Sequence, residues 1–372
     1  MRGGTSNGLM INGSTFPEDK SQWQPILSSA MGSPDPYKRQ LNGMGSGISS
    51  TSKVMVVEKS IRDDADIDYT FVQVGIEDGS LDMAGNCGNM SAAVGPFALN
   101  EGLLEAPSLE TRSDGYNYTT IRMFNTNTGK MINSTFKVSS SDPQTMKFDD
   151  SGTYGIDGVP SLSSKIALSF DNPGGSKTGL VLPTGNPVDT IQRLPVRQPN
   201  VLEILYPQVS LVDVATPGVF VNASTLNIDT SVPPTELESN KRVMIDLEHI
   251  RREGATIMGL DPNIQSLPKI VLLSKPTNAA AKEGVHINCR ALSMGQAHRA
   301  MPMTMALNLA AACKLKGTVP NQIVSEFDID DTIVIGHPSG KLEVGVDMDG
   351  DTIRSATIYR TARALMKGDV FY

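Results

Sequence analysis

The 372-residue chain has three cysteines, four histidines, one tryptophan and only 5% aromatic residues. Cys87, Cys289 and Cys313 are odd in number, far apart and in no Cys-x-x-Cys pair. They therefore predict neither a disulfide framework nor a thiolate zinc site, and reduced thiols fit best. His249, His286, His298 and His337 include no His-Glu-x-x-His spacing, so no metal site is expected. No apolar run approaches the ~18 residues of a membrane helix. The opening Met-Arg-Gly-Gly-Thr-Ser lacks the basic and apolar regions of a signal peptide, which makes a cytoplasmic location the default. A net charge of −8 lacks the basic surplus of a nucleic-acid footprint. It does not exclude an anionic small ligand, because a few donors inside a cleft decide that binding.

Glycine (34) and methionine (18) are plentiful instead, and the pattern along the chain is one of short strands and turns. Lys53–Lys59 is a β-branched run and Asp68–Val74 alternates, so both predict strands. Further strands are expected at Tyr118–Phe124, Met131–Val138, Ser164–Leu168, Val209–Val214, Val219–Val221 and Lys269–Leu273, and loops around a brief helix over Ser28–Ser52. Two segments break the pattern. Asn89–Leu104 and Met301–Leu315 carry apolar residues at helical spacing on more than one face, the mark of a buried helix. A further helix is predicted from Thr235 to Gly254. The second half thus echoes the first: Gly-Asn-Cys-Gly-Asn at 85–89 precedes one buried helix and Met294-Gly-Gln-Ala-His298 the other. At roughly 100–200 residues per domain, two similar lobes account for the length. Pro183-Thr-Gly-Asn-Pro187 marks the break, giving residues 1–187 and 188–372, with the terminal segment free to return to the first lobe.

Gly85-Asn86-Cys87-Gly88-Asn89 is the most informative stretch. A thiol there sits at the start of a buried helix, where unpaired N–H groups and the helix dipole favour negative charge. A small buried residue beside a turn is the alternative. Gly45-Ser46-Gly-Ile-Ser-Ser-Thr-Ser-Lys53 is a hydroxyl-rich loop ending in a lysine at the mouth of an apolar strand. Partial desolvation makes Lys53 a candidate general base, against the alternative of a solvated strand-end lysine. His298-Arg299 and Gly336-His-Pro-Ser-Gly340 supply hydrogen-bond donors suited to carboxylates, and Arg2-Gly-Gly-Thr5-Ser6 adds a hydroxyl-and-amide nest. Cys289 and Cys313 are expected in strand and helix cores. The chain has no Gly-x-Ser-x-Gly elbow at a strand-to-helix turn, and no P-loop ending.

The order of these motifs is informative. Arg2-Gly-Gly-Thr-Ser, Ser50-Thr-Ser-Lys53, Gln73-Val74, Gly85-Asn-Cys-Gly-Asn89, Val94-Gly-Pro-Phe-Ala98, Leu182-Pro-Thr-Gly185, His298-Arg-Ala300, His337-Pro-Ser-Gly340 and Tyr359-Arg-Thr-Ala-Arg-Ala-Leu-Met-Lys-Gly368 resemble the methylaconitate isomerase (PrpF) family over nearly the whole chain. The resemblance implies an α+β, diaminopimelate-epimerase-like fold. In that fold two pseudo-symmetric lobes each wrap a β-barrel-like sheet around a central helix, with the active site between them. It also implies cofactor-independent isomerisation of unsaturated di- or tricarboxylates such as aconitate or methylaconitate, by allylic proton shift or cis–trans change.

The catalytic candidates carried over are Lys53 and Cys87. The substrate-binding candidates are Thr5, Ser6, Ser46, Asn86, Gly88, Asn89, His298, Arg299, His337 and Ser339. The expected partner is a small-molecule polycarboxylate, with a homodimer as the candidate assembly. Related racemases use one cysteine from each lobe. Here the second-lobe counterpart is Gln296-Ala-His298, without a thiol, which disfavours an amino-acid racemase.

Three departures from the family pattern bear on the substrate. Asn7 stands where a lysine is usual, Thr216 where Asn commonly precedes Pro, and the sequence begins at a motif that a short strand usually precedes. The first lobe is then expected to lack that edge strand, unless the sequence is truncated. A non-catalytic polycarboxylate-binding relative is the alternative these departures keep open.

Overall fold

The computed structural model describes residues 1–83, 85–105, 107–191, 194–198 and 201–372. They form two units, residues 1–169 with 359–372, and residues 170–358. The proline-rich stretch at 183–187 thus lies within the second unit. Both units are α+β, and in each a sheet separates a helix that is apolar all round from an amphipathic one.

In the first unit, β1 (Ser6–Asn12), α1 (Trp23–Met31), β2 (Lys53–Lys59), β3 (Ile67–Val74), α2 (Gly88–Asn100), β4 (Asn117–Asn125) and β5 (Lys130–Val138) follow in order. β1 runs parallel to β2, with Gly8 opposite Lys53. β2 is antiparallel to β3, with Lys53 opposite Gln73. β3 is parallel to β4, and β4 antiparallel to β5. Arg2–Gly3 pairs with the start of β1 and with Ala362–Arg363 near the C-terminus.

Strand side chains alternate between faces, and here both faces are covered, which is why β2 reads as a continuous apolar run. Val54 and Val56, with Val72 and Val74 of β3, pack under Trp23, Leu27 and Met31 of α1. The odd-numbered residues Lys53, Met55 and Val57, and Tyr69, Phe71 and Gln73, therefore face the other way. That is the side of α2, and Tyr69 reaches the α2 residue Ser91 there. α2 buries Met90, Ala92, Ala93, Val94, Ala98 and Leu99. It touches β1, β2 and β5 as well as Arg2–Gly3 and Ala362–Arg363, so the sheet bends around it.

The second unit repeats this plan with β6 (Gln208–Val214), β7 (Thr216–Asn222), α3 (Lys241–Ile257), β8 (Lys269–Ser274), β9 (Ile287–Ser293), α4 (Met303–Lys314), β10 (Thr332–His337) and β11 (Gly340–Asp349). β6–β7 is a hairpin turning at Ala215, β7–β8 and β9–β10 are parallel, and β8–β9 and β10–β11 antiparallel. α3 covers the outer face through Leu247 and Ile250, which pack with Leu211, Val219 and Leu272. α4 is buried from Met305 to Cys313 and touches β6, β7, β10 and β11. Among the described residues the sheets remain open and do not close into barrels.

The differences from the sequence expectations have local causes. α2 stops at Asn100, short of Leu104, because Gly102 takes a left-handed φ of +70° and turns the chain out. The helix expected from 235 to 254 is two, Pro234–Ser239 and α3. Asn240 (ψ 81°) breaks it and caps α3 by accepting from Val243 N. The brief helix expected beyond Ser28 is α1, which starts earlier and ends at Gly32 (φ +78°).

One buried side chain ties α4 to its sheet. Asn308 Nδ2 donates to Val212 O at 2.8 Å and to Thr216 O at 2.7 Å, satisfying both carbonyls that flank the Ala215 turn. Asn308→Leu is expected to lower stability by about 2–4 kcal/mol by leaving two buried acceptors unpaired. Thermal unfolding checks this, and an unchanged transition would contradict it.

Candidate active site

Lys53 is only 8% exposed. Its Nζ donates to Gln73 Oε1 and lies 5.2 Å from the centroid of the Phe71 ring. The register produces this arrangement, because Gln73 is directly opposite Lys53 and Phe71 is diagonal to it on the same face. Gln73 is fixed in turn by donating to Ser52 O at 2.9 Å. Among the described residues no carboxylate pairs with Lys53. An amide dipole and a ring quadrupole offset its charge instead.

Cys87 is the N-cap of α2, with extended backbone (φ −106°, ψ 97°), and its side chain makes no cap hydrogen bond. It is half-buried. The first-turn N–H groups of α2, beginning with buried Gly88, are thus not taken up by the cap, an arrangement that suits an anion. Ser91 Oγ, one turn on, lies 3.1 Å from each of Asn86 Oδ1, Cys87 O and Tyr69 OH. Burial pushes the Tyr69 phenol up to about 12, so at neutral pH it is a hydrogen-bond donor rather than a phenolate.

Asn89, in the first turn, links three segments. Its Nδ2 donates to Thr5 Oγ1 at 3.0 Å, and its Oδ1 accepts from Arg360 Nε at 3.1 Å. The two glycines of Arg2-Gly-Gly-Thr5 permit this approach. A Cβ on Gly4, whose φ is +51°, would stand 2.3 Å from Asn89 Oδ1, and one on Gly3 2.5 Å from Asn89 O. Arg360 is 9% exposed. Burial lowers it to about 10, against the opposing influence of Tyr154 and Cys87, so it stays charged at neutral pH.

The sequence-predicted residues fall into groups. Thr5, Asn86, Cys87, Gly88 and Asn89 meet at the start of α2, and Lys53 lies on the α2 face of the sheet. Ser6 is buried at the start of β1. Ser46 is exposed and donates to Thr51 Oγ1 at 2.7 Å, within its own loop. In the second unit Ser339 Oγ donates to Arg299 O at 2.7 Å, joining the β10–β11 turn to the segment before α4. Ser339 N donates to His337 Nδ1 at 3.2 Å, which makes that nitrogen an acceptor. His298 is lowered by burial and by the charge of Lys269, hence neutral at pH 7, and its buried Nε2 meets no partner among the described residues.

Arg360 was not among the candidates, although it lies in the quoted Tyr359-Arg-Thr-Ala-Arg ending. Its signal is an arginine within an alternating strand, in phase with the apolar Ala356 and Ile358. Among the described residues no group of three His, Cys, Asp or Glu is placed to hold a metal, and no helix is long and apolar enough to cross a membrane.

Comparison with known proteins gives consistent matches. The family model described as "PrpF protein" matches residues 1–372. A 3-methylitaconate isomerase of Eubacterium barkeri is 32% identical over 100% of this chain and 95% of its own length. A 2-methyl-aconitate isomerase of Cupriavidus necator is 33% identical over 99% of this chain and 94% of its own. The crystal structure of a methylitaconate-delta-isomerase superposes with a TM-score of 0.82 at 32% identity, covering 99% of this chain and 92% of that one.

Burial separates the three thiols. Cys289 is pushed up to about 12 by burial, and burial also raises Cys313, whereas Cys87 is half-buried. Iodoacetamide at pH 8 is therefore expected to modify one thiol of the native protein, at Cys87, and three after denaturation. Peptide mass spectrometry checks this; native labelling at Cys289 or Cys313 would contradict it.

Proposed function

Because the chain belongs to the PrpF family, we propose that it isomerises an unsaturated di- or tricarboxylate of the aconitate or methylaconitate type, by proton transfer and without a cofactor. The relatives named above as isomerases of methylitaconate and 2-methyl-aconitate support this reading at the level of substrate class. The observation that carries it to residues is the placement of Lys53. It is a buried amine with no carboxylate partner among the described residues, on the sheet face that looks towards α2, whose N-terminus Cys87 leaves uncapped.

Isomerisation of this kind breaks one C–H bond beside a carboxylate-bearing carbon. The electron pair spreads over an allylic enolate, and a C–H bond forms at the far end of the allylic system, so nothing is gained, lost or oxidised. The reaction needs a base, donors for the developing negative charge, and an acid. Lys53 is assigned the proton transfer, with its amine oriented by Gln73 and Phe71. Cys87 is its acid–base partner or a wall of the pocket. Asn86, Asn89 and the first-turn N–H groups of α2 receive a carboxylate or the enolate oxygen, and the hydroxyl of Thr5 adds a donor.

The test is proton NMR in heavy water with cis-aconitate and 2-methylaconitate. A new isomer or deuterium incorporation is expected, and Lys53→Ala should lower the rate by about 10²–10⁴-fold. Neither turnover nor exchange across a panel of unsaturated polycarboxylates would overturn the proposal. Thermal stabilisation by these acids that persists in Lys53→Ala, without turnover, would instead identify a non-catalytic binder.

A further inference from the structure

We infer that Arg360 is a substrate-binding residue that holds one carboxylate of the ligand beside the first turn of α2. The inference begins with how this chain buries its other arginines. Arg251, 1% exposed, uses all five N–H groups. Two go to the Glu248 carboxylate and three to the carbonyls of Pro262, Ile264 and Leu267. Arg290 donates to the carbonyls of Thr230 and Val232, its Nε and Nη1 meet no partner among the described residues, and Cys289 and Asp229 act on its charge.

Arg360 differs from both in that no aspartate or glutamate acts on it. Its Nε donates to Asn89 Oδ1 and its Nη1 to Tyr359 O, at 3.1 and 2.9 Å, and both acceptors are neutral. No carboxylate is paired with it among the described residues. The groups of negative potential that act on it are the Tyr154 phenol and the Cys87 thiol, and neither is an aspartate or glutamate.

A buried charge without a counter-ion is costly, and a guanidinium presents its N–H groups in a fork that matches a carboxylate. The surroundings complete a receptor. Asn89, which Arg360 orients, belongs to the first turn of α2, and the same Asn89 holds the Thr5 hydroxyl. The Cys87 side chain leaves the first-turn N–H groups untouched. A carboxylate at this place would meet the guanidinium fork and the helix N-terminus together. The inference rests on the polycarboxylate reading above and deepens it, by assigning one of the ligand's acid groups to one residue.

The competing role is purely positional, with Arg360 serving only to orient Asn89. Ligands from which one acid has been deleted separate the two. Calorimetry with unreactive propane-1,2,3-tricarboxylate, and with pentanedioate and methylbutanedioate, which each lack one of its acid groups, would be run on wild type, Arg360→Gln and Arg360→Lys.

The triacid is expected to bind Arg360→Gln about 10–100-fold more weakly than wild type. One of the two diacids should be unaffected, because the acid that Arg360 holds is already missing from it, and Arg360→Lys should lie between. Equal weakening of all three ligands, or no weakening, would overturn the inference. Should the variants fail to fold, a crystal structure of the wild type with the triacid decides. A carboxylate on the Arg360 guanidinium sustains the inference, and carboxylates elsewhere with Arg360 untouched refute it. Wild-type turnover with unchanged discrimination in the variants would sink this inference alone. A wild type that neither binds nor turns over any polycarboxylate would sink the isomerase reading with it.

Discussion

A helix without a polar face has to be covered from every side, and the rest of this structure depends on that requirement. α2 and α4 are built from Ala, Met, Leu and Val with no side free for water, so each sheet must bend until strands from both of its flanks touch the same helix. Small residues make the approach close. In the first unit they also bring the Arg2-Gly-Gly-Thr5 segment onto Asn89, where any Cβ would collide. The central helix therefore begins among side chains from distant parts of the sequence, with its first N–H groups unclaimed by its own cap.

Electrostatics follow from the same geometry. The chain carries a net charge of −8, yet the two buried cations nearest α2, Lys53 and Arg360, have no carboxylate partners among the described residues. Lys53 is held by an amide and a ring, Arg360 by an amide and a backbone carbonyl. Neutral dipoles fix the positions of these cations without cancelling them, which leaves positive potential where a polyanionic ligand is proposed to sit. Arg251, by contrast, is met by the Glu248 carboxylate.

Much of the fold was legible in local sequence. The β-branched run at Lys53–Lys59 is a strand with those bounds, and both buried helices lie where apolar residues crowd more than one face. Misplaced boundaries arose at single residues whose backbone, not hydrophobicity, ends an element, as at Asn240 and Gly102. Of the candidate site, the positions of Cys87 and Asn89 were readable because the Gly-Asn-Cys-Gly-Asn setting marks the start of a helix, and that of Lys53 because it opens an apolar strand. Arg360 was not singled out, although its phase with Ala356 and Ile358 in an alternating strand sets it on their buried face.

The sequence by itself determined which segments are apolar on one face or on all, and the motif order that marks the family, because periodicity and motif order are local properties of the chain. Only the tertiary structure decided which polar groups are left with unspent hydrogen-bonding capacity. That depends on strand register, which sets Gln73 opposite Lys53, and on the return of the C-terminal strand, which delivers Arg360 to Asn89 across most of the length of the chain.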